Sequence, residues 1–487
     1  MDAQVTALLV ILGCLVVSAV LSQKMPSGSG PIIFMFAFNT FAGYLNNLFN
    51  RHPVIHVARF VLLGFVCVWW LASRSGRERP RPTPLDRPII VFFGFYAAQM
   101  FNPYWSSLRV GVLNGFVGMA VHGVPMLLFF ISRDLIRTSR QITLLYTLLI
   151  ILSTLMAGYG LFQWNMGHEY VAGLGAAFQD TIRREAVWTE DYTPVLKPMS
   201  FAGDAGAASS FYAVGILLAA SMLVGRGRRT WVRLLLVAAF VVQFMALVVT
   251  LVRSTMAATL MGIALLLFLE GRTLRAALPV AGLAAVLMFV GDSGDSFIKQ
   301  RYMTLMESGT IQKDRGMQVG AIWWAVENFP AGRGIGRAGP VGNTFSEPED
   351  MAYSFPPESY FVCITFEAGV IGLILVARIF WLLLRYAMRA ARVVRDPELG
   401  PLARATCITL LPIMVASFVG PTLYAAPFSY LFWFFAAVVF RILEVDAARR
   451  AHRHRSHHGP GSTVIPVGPG VASVSALPEP RRLEDRS

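Results

Sequence analysis

Stretches of about 20 apolar residues recur along this chain, and they constrain its fold more than any other feature of the sequence. A helix of that length and composition is what crosses the hydrocarbon layer of a membrane. The composition agrees, because 55% of the 487 residues are hydrophobic and only 14% are charged. The sequence therefore predicts an all-α, polytopic integral membrane protein. We expect spans near residues 4–22, 31–48, 55–73, 88–101, 114–132, 141–163, 207–224, 231–251, 254–270, 276–290, 358–384, 405–420 and 425–441.

The number of spans depends on one segment near the N-terminus. Residues 36–50 read "FAFNTFAGYLNNLFN", and the four Asn in this stretch make it the weakest predicted span. We therefore expect about 12 or 13 transmembrane helices, with the N-terminus inside or outside accordingly. The opening "MDAQ" has no positively charged segment, so residues 4–22 are expected to be a retained anchor rather than a cleaved signal.

Arginine predicts which side of the membrane each connection occupies. Five connections are rich in Arg: "RSGRERPRPTPLDRP", "SRDLIRTSRQ", "GRGRRTWVR", "EGRTLR" and "RYAMRAARVVRDPELGPLAR". They fall on one side if the spans alternate, and by the positive-inside rule that side is the cytoplasm. The net charge of +14 is then explained by topology and by attraction to lipid headgroups, and it does not indicate nucleic-acid binding.

Two long polar loops interrupt the series of spans and are predicted to face outward, where we expect recognition and chemistry. The predicted organisation is N-terminal membrane helices 1–163, a first outer loop 164–206, central membrane helices 207–290, a large outer catalytic loop 291–357, C-terminal membrane helices 358–441 and a disordered basic cytoplasmic tail 442–487. Small residues at 200–215 are expected to allow close helix packing. The tail holds "HRHRSHH", for which a solvated basic segment is favoured over a metal site.

The stretch "GIGRAG", with Gly334, Gly336 and Gly339, matches the pattern of a dinucleotide-binding loop. Such a loop must follow a strand and begin a helix. Here the apolar residues upstream, such as Met317 and Trp323, have helical spacing, and Pro340 follows immediately. The sequence therefore predicts a helix that ends before Pro330, and it excludes a dinucleotide-binding unit. The four cysteines, Cys14, Cys67, Cys363 and Cys407, lie in apolar segments and are expected to be buried free thiols.

Four motifs follow one another in the second half of the chain: "LVRSTMAATLMGIALLL" from residue 251, "FPAGRGIGRAG" from 329, "ESYF" from 358 and "EAGVIG" from 367. Taken in this order, they resemble the C-terminal half of the bacterial O-antigen ligase and O-antigen polymerase family. The resemblance covers roughly residues 200 to 440. It implies a glycosyltransferase that takes a polyprenyl-diphosphate-linked glycan as donor and a sugar hydroxyl as acceptor. Where ligases of the family carry His-Asn, this chain carries Glu358-Ser359, which favours a polymerase over a ligase.

The resemblance implies three candidate catalytic residues. Arg253, at the outer junction of two spans, and Arg315, at the start of the loop helix, match the two arginines of the family, and an Arg fork binds phosphate oxygens bidentately. Glu358 is the candidate general base for the attacking hydroxyl. Each has an ordinary alternative: Arg253 as an interfacial Arg, Arg315 as a solvated charge, and Glu358 as a carboxylate at a helix N-terminus.

Further residues are candidates for substrate binding. Arg301, Arg333 and Arg337 are expected to add positive charge in the large loop, and His168, Arg183 and Arg184 to contact glycan or phosphate from the first outer loop. Glu367, nine residues beyond Glu358, is expected to be a buried structural carboxylate bonded to a neighbouring helix. No metal site and no cofactor are predicted, because arginines around a lipid diphosphate remove the need for a divalent ion.

The predicted function is therefore that of a metal-independent membrane glycosyltransferase for surface polysaccharide, O-antigen or exopolysaccharide, at the outer face of the bacterial inner membrane. The predicted C-terminus is cytoplasmic. Expected partners are a lipid-linked oligosaccharide donor, a glycan or lipid acceptor, membrane lipid and polysaccharide export proteins, but no nucleic acid. Two other classes stay open: a flippase or transporter of lipid-linked oligosaccharide, and a non-catalytic assembly protein of the same pathway.

Overall fold

The structure is a computed structural model of the whole chain. It describes residues 30–73, 80–105, 107–185, 187–188, 194–225, 229–271, 308–338, 359–420, 422–424 and 428–457, together with isolated residues between 12 and 23. Within these residues the protein is almost entirely helical. A minimal antiparallel pair, β1 (Val187–Trp188) with β2 (Pro194–Val195), is the exception.

Thirteen helices are used below as α1 to α13. In chain order they are α1 (Gly30–Leu48), α2 (Pro53–Ser73), α3 (Asp86–Ala98), α4 (Leu108–Leu135), α5 (Ser139–Gly173), α6 (Ala176–Glu185), α7 (Ala205–Val224), α8 (Thr230–Val249), α9 (Arg253–Glu270), α10 (Ser308–Asn328), α11 (Tyr360–Val393), α12 (Leu399–Val419) and α13 (Phe428–His457). Three short 3-10 turns accompany them at Gln99–Phe101, Ser200–Ala202 and Thr422–Tyr424.

Eight helices in the described part of the chain are long and apolar enough to cross a membrane, which confirms the all-α polytopic class. They are α4, α5, α7, α8, α9, α11, α12 and α13. A shorter apolar stretch, Ala58–Ser73, lies in α2. The Asn-rich segment forms α1, whose buried amides of Asn39 and Asn47 donate to backbone carbonyls. The total of 12 or 13 stays a prediction, because the expected spans at 4–22 and 276–290 fall largely or wholly outside the described residues.

Short polar side chains begin several of these helices. Ser107 accepts a hydrogen bond from the Val110 N–H and so begins α4. A capping box of Thr138 and Gln141 begins α5, and Asp204 accepts from the Ala207 N–H at the start of α7. Ser359 accepts from the Phe361 N–H at the start of α11. Each cap satisfies an N–H group that the first helical turn leaves without a partner, which fixes the start of the helix in the sequence.

Polar contacts join several of the Arg-rich connections at one end of the helices. Arg133 at the end of α4 pairs with Asp86 at the start of α3, at 2.7 Å. Ser139 at the start of α5 donates to Glu398, which directly precedes α12. Arg404 in α12 pairs with Glu270, the last residue of α9. These contacts place four of the five Arg-rich connections together, as the alternation of spans predicts.

The small residues predicted to allow close packing do so. Gly43 of α1 lies directly against the backbone of Ala202 and Gly203, so that a Cβ there would lie 3.2 Å from the Gly203 nitrogen and closer still to Ala202. Gly215 of α7 lies against Ser153 of α5 and Gln243 of α8. The N-terminal half of α7 is thereby held in the middle of the bundle. The second unit of the chain begins at Asp446 and is described as far as His457; within it Arg450 pairs with Asp446 at 2.5 Å.

Candidate functional site

Helix α11 is broken at Gly369, two turns from its start. Gly369 has φ 63° and ψ −160°, a conformation that is open to Gly alone among the common residues. At such a break the Val370 N–H and the Phe366 carbonyl cannot bond to each other as they would in a regular helix. Instead, Val370 donates to the carbonyl of Pro330 at 3.0 Å, and the Phe366 carbonyl accepts from the Arg333 N–H at 2.8 Å. The broken helix is therefore completed by another segment of the chain.

That segment is residues 329–338, "FPAGRGIGRA", called here the arginine loop. Its predicted upstream helix is confirmed as α10, which ends at Asn328. Gly332 of the loop packs backbone to backbone on Glu367 and Ala368, with no room for a Cβ, and its φ is 81°. The Gly334 N–H donates to the Glu367 carbonyl at 3.1 Å. Residues 332–338 are all buried, so this glycine-rich stretch is an internal structural element.

The side chain of Glu367 occupies the concave side of the loop. Its Oε1 accepts from the N–H groups of Gly336 and Ala338, both at 3.0 Å. Its Oε2 accepts from the hydroxyl of Tyr96 in α3. Converging N–H groups of a glycine-rich turn form an anion-binding nest. The G-x-G pattern therefore does bind an anion, but the anion is a carboxylate of the same chain and not a phosphate.

Glu367 is fully buried, as predicted, and aromatic and polar side chains surround it. The imidazole of His122 in α4 has its Nε2 3.9 Å from Oε2 of Glu367. His122 is also packed edge-on against Tyr424, with ring centroids 4.0 Å apart. Neither ring nitrogen of His122 has a hydrogen-bond partner. An ionisable pair inside membrane-spanning helices is costly to maintain, which marks this cluster as important for the protein.

The arginine loop holds two buried guanidinium groups against aromatic rings. Arg333, 8% exposed, lies over Phe329 at 4.8 Å and over Phe366 at 5.8 Å. Arg337, 3% exposed, lies over Trp105 at 4.3 Å and donates to the Tyr104 carbonyl. Cations over ring faces are stabilised by the ring quadrupole. Both predicted substrate-binding residues are thus inside the protein, where they fix the loop, and neither is on an open surface.

The candidate catalytic residues are described to different extents. Arg253 is the first residue of α9 and is half-buried. Arg315 belongs to α10, but its side chain lies outside the described part of the structure. Arg301 and Glu358 lie wholly outside the described residues. The residue after Glu358, Ser359, is buried and donates to the carbonyl of Ser417 in α12 at 3.4 Å.

The candidate residues of the first outer loop occupy exposed positions on two helices. His168 is exposed near the end of α5, next to Gly167, where the helix is interrupted with φ 80°. Arg183 and Arg184 are exposed in the last turn of α6. Asp180 pairs with Arg184 at 2.7 Å and with Arg51 at 2.5 Å. The hydrogen bond from Arg51 is the main cause that lowers the pKa of Asp180 below its ordinary 3.8.

The described residues contain free thiols but no cluster of side chains that could bind a metal. No group of three or more His, Cys, Asp and Glu side chains in them could hold a metal ion. Cys67, Cys363 and Cys407 are free thiols; Cys363 and Cys407 are buried, as predicted, whereas Cys67 is only half-buried, and Cys14 lies outside the described residues.

Together these observations define a class: a polytopic α-helical membrane protein whose arginine loop is docked in a broken helix. A comparison with family models gives one match. Residues 238–377, which contain Arg253, the arginine loop and Glu367, match the family described as O-antigen ligase. The match confirms the resemblance found in the sequence, and it supports an O-antigen ligase-like membrane glycosyltransferase.

Other comparisons add little. No curated protein matches the chain. One solved structure, described as "Structural coordination of polymerization and crosslinking by a peptidoglycan synthase complex", contains a chain that is 17% identical, with a TM-score of 0.40. The alignment covers 75% of this chain and 96% of that one. Because the TM-score is below 0.5, no conclusion about function follows from it.

Sequence reasoning missed the residues that meet Glu367 across the bundle. Tyr96 precedes Glu367 by 271 residues, and nothing in the local pattern of "FGFYAAQM" singles it out. His122 offered a signal, because an imidazole inside the apolar run "GMAVHGVPM" is a candidate for function by default.

Proposed function

We propose that this protein is a metal-independent glycosyltransferase that transfers or polymerises polyprenyl-diphosphate-linked oligosaccharide at the outer face of the bacterial inner membrane. Polymerisation is favoured over ligation, because Glu358-Ser359 stands where ligases carry His-Asn. Export of O-antigen or exopolysaccharide is the process that such an activity serves. The observation that carries the proposal is that Arg253 and Ser359, the residue next to Glu358, lie toward the same end of the helix bundle, and both belong to the segment that matches the family.

Helices α9 and α12 establish that common level. They run antiparallel, since Glu270 at the end of α9 pairs with Arg404 near the start of α12. A Cβ built at Gly262 would lie 3.0 Å from the carbonyl oxygen of Ile408, which makes these two residues level. Arg253 and Ser417 are each about nine residues, or roughly 13 Å, further along toward the same end.

Ser359 extends this level to α11. Its hydroxyl donates to the carbonyl of Ser417, so the start of α11 lies beside the end of α12. Glu358 is one peptide unit from Ser359, a Cα separation of about 3.8 Å. Arg253 and Glu358 are therefore candidates for one site, although 105 residues separate them in the sequence. The Thr255 hydroxyl also accepts from Ser209 in α7, which ties this end of α9 to the centre of the bundle.

The proposed reaction needs two kinds of group. The acceptor hydroxyl oxygen attacks the anomeric carbon of the donor while the bond from that carbon to the diphosphate oxygen breaks. Glu358 takes the hydroxyl proton as general base. Arg253 and Arg315 hold the diphosphate, whose negative charge grows as it leaves, and Arg suits this work because its planar fork stays charged. One carboxylate base without a second carboxylate nucleophile favours inversion at the anomeric carbon.

The remaining candidates take supporting roles in this proposal. Arg301 adds positive charge for the donor, and His168, Arg183 and Arg184 contact glycan from the first outer loop. Arg333 and Arg337, which are buried, act through the shape of the arginine loop. The donor, the acceptor, membrane lipid and polysaccharide export proteins are the proposed partners, and the C-terminus is proposed to be cytoplasmic.

The test is transfer by the purified protein supplied with a polyprenyl-diphosphate glycan and no nucleotide sugar. We expect longer glycan chains from the wild type and a loss of about 100-fold or more from Arg253→Ala, Arg315→Ala and Glu358→Gln, since each removes a group that acts in the transition state. Arg140→Ala is the matched control, because its side chain is exposed and lies next to Ser139, at the end of the helices where Glu398 and Arg404 make their contacts.

The outcomes separate the competing functions. Full activity in all three variants, with the proteins folded and inserted, would exclude the catalytic assignment. Absence of transfer by the wild type, together with loss of the lipid-linked unit from the outer face in cells that lack the protein, would indicate a flippase. If cells that lack the protein still make glycans with a ladder of chain lengths but no longer attach them to the lipid A core, the protein is a ligase.

A further inference from the structure

We propose that Glu367 is a positioning residue: by filling the nest of the arginine loop, it holds that loop in the break of α11, where transfer requires it. The claim rests on the proposed function for its catalytic part. Its structural part stands on contacts that are independent of any substrate.

The first argument is where the contacts fall along the chain. The loop ends at Ala338, whose N–H donates to Glu367 at 3.0 Å. Residues 339–358 follow, and the chain then enters α11 at Ser359, two turns before Glu367 itself. The carboxylate therefore ties the beginning of this 20-residue segment to the helix that begins at its end.

The second argument is the cost of removing this acceptor from the nest. The N–H groups of Gly336 and Ala338 are buried, and both donate to the same oxygen of Glu367. Buried N–H groups that lose their acceptor are costly. The loop also carries Arg333 and Arg337 against Phe366 and Trp105, so release of the nest would free two cations from their aromatic contacts.

The third argument concerns side-chain chemistry. The nest needs one oxygen that can accept two hydrogen bonds, and it does not need a full negative charge at that oxygen. A Gln amide offers the same oxygen at the same distance from the backbone, and its NH2 group could donate to the Tyr96 hydroxyl in place of the present bond. Glu367→Gln should therefore preserve the loop, whereas Glu367→Ala should release it. The order of these two effects separates positioning from proton transfer, because Gln cannot act as an acid or a base and would abolish a proton-transfer function at this position.

The experiment measures the loop directly. Ala338, 1% exposed, is changed to Cys and labelled with a water-soluble maleimide in the purified full-length protein. Labelling of the same protein without that Cys is subtracted to remove the contribution of native thiols. We expect slow labelling with Glu367 or Gln at position 367 and labelling about 10-fold faster or more with Ala, because Ala leaves two buried N–H groups without their acceptor.

Two further variants make the result decisive. Glu327→Ala, at an exposed position on α10, is the matched control and should leave labelling unchanged. Glu367→Asp keeps the charge but is one methylene shorter, so it should give an intermediate rate if Glu367→Ala fails to fold. Equal labelling rates in all folded variants would overturn the proposal.

Transfer activity is then measured in the same preparations. We expect activity to follow the labelling: retained with Gln, and reduced about 10-fold or more with Ala. If Gln abolishes transfer while the loop stays protected, Glu367 acts in proton transfer and the positioning role is wrong. If the labelling pattern holds but the wild type shows no transfer, the proposed function fails and the structural role of Glu367 stands.

Discussion

Gly369→Ala tests the break in α11, because this residue is where the helix and the arginine loop meet. Its φ of 63° with ψ of −160° is a conformation that costs a residue with a Cβ about 1–3 kcal/mol. The new Cβ would meet the carbonyl oxygen of Pro330 and would lie 2.6 Å from the Gly332 nitrogen. Both neighbours are backbone atoms, so they can relieve the clash only if the loop moves.

The magnitude follows from these terms. Displacing a packed backbone segment costs about 1–3 kcal/mol, and loss of the hydrogen bond from Val370 to Pro330 costs about 1 kcal/mol. With the backbone strain, these terms sum to about 3–7 kcal/mol, and a value near the lower end, about 4 kcal/mol, is the expected destabilisation of the docked loop. At about 1.4 kcal/mol for each factor of ten, its population relative to undocked states falls by about 1,000-fold.

Two quantities are measured. The first is the apparent midpoint of thermal unfolding in detergent, monitored as the fraction of protein that remains monodisperse after heating. The second is transfer activity. Gly158→Ala is the matched control, since Gly158 lies exposed in α5 and a Cβ there meets nothing within 4 Å. We expect a clear drop in the midpoint for Gly369→Ala and almost none for Gly158→Ala. If the two variants unfold at the same temperature, the loop is not docked in the break and the description of the site is wrong.

Four other predictions concern separate parts of the molecule. Tyr96→Phe removes the hydroxyl that donates to Glu367 but keeps the ring, so it should cost about 2 kcal/mol, measured as a lower unfolding midpoint; an unchanged midpoint would contradict that hydrogen bond. Gly43→Ala places a Cβ against the backbone of the neighbouring 3-10 turn, and we expect a loss of about 3 kcal/mol and a lower yield of folded protein. Because the guanidinium of Arg51 lowers the pKa of Asp180, that contact stabilises the folded state above pH 3.8, the ordinary value, and is lost as the pH falls through the lowered pKa. Wild type should thus be more stable than Asp180→Asn at neutral pH and equal to it well below pH 3.8, and a difference that persists at low pH would refute the assignment. Chelation of divalent ions with EDTA should leave glycan transfer unchanged, and loss of activity that Mg²⁺ restores would show that the reaction requires a metal.

The sequence by itself determined the membrane class and much of the helix order. Apolar runs of the length of a bilayer can hardly form anything but helices, because every backbone polar group in lipid must find its partner within the helix. The same local logic predicted the helix before Pro330 and the close packing of small residues near position 203. Arginine in the short connections predicted that they lie together, as the contacts of Arg133, Glu398 and Arg404 now show.

Only the tertiary structure decided what the glycine-rich loop does. The sequence excluded a dinucleotide site at "GIGRAG" and predicted that Glu367 is buried, but it could not predict that this loop binds the Glu367 carboxylate. Their connection depends on a break in α11 that a single Gly permits, and on Tyr96 and His122 from helices more than 200 residues away. Periodicity reports which face of a helix is apolar, whereas the partner of one buried carboxylate depends on how all the helices pack, and no local pattern carries that information.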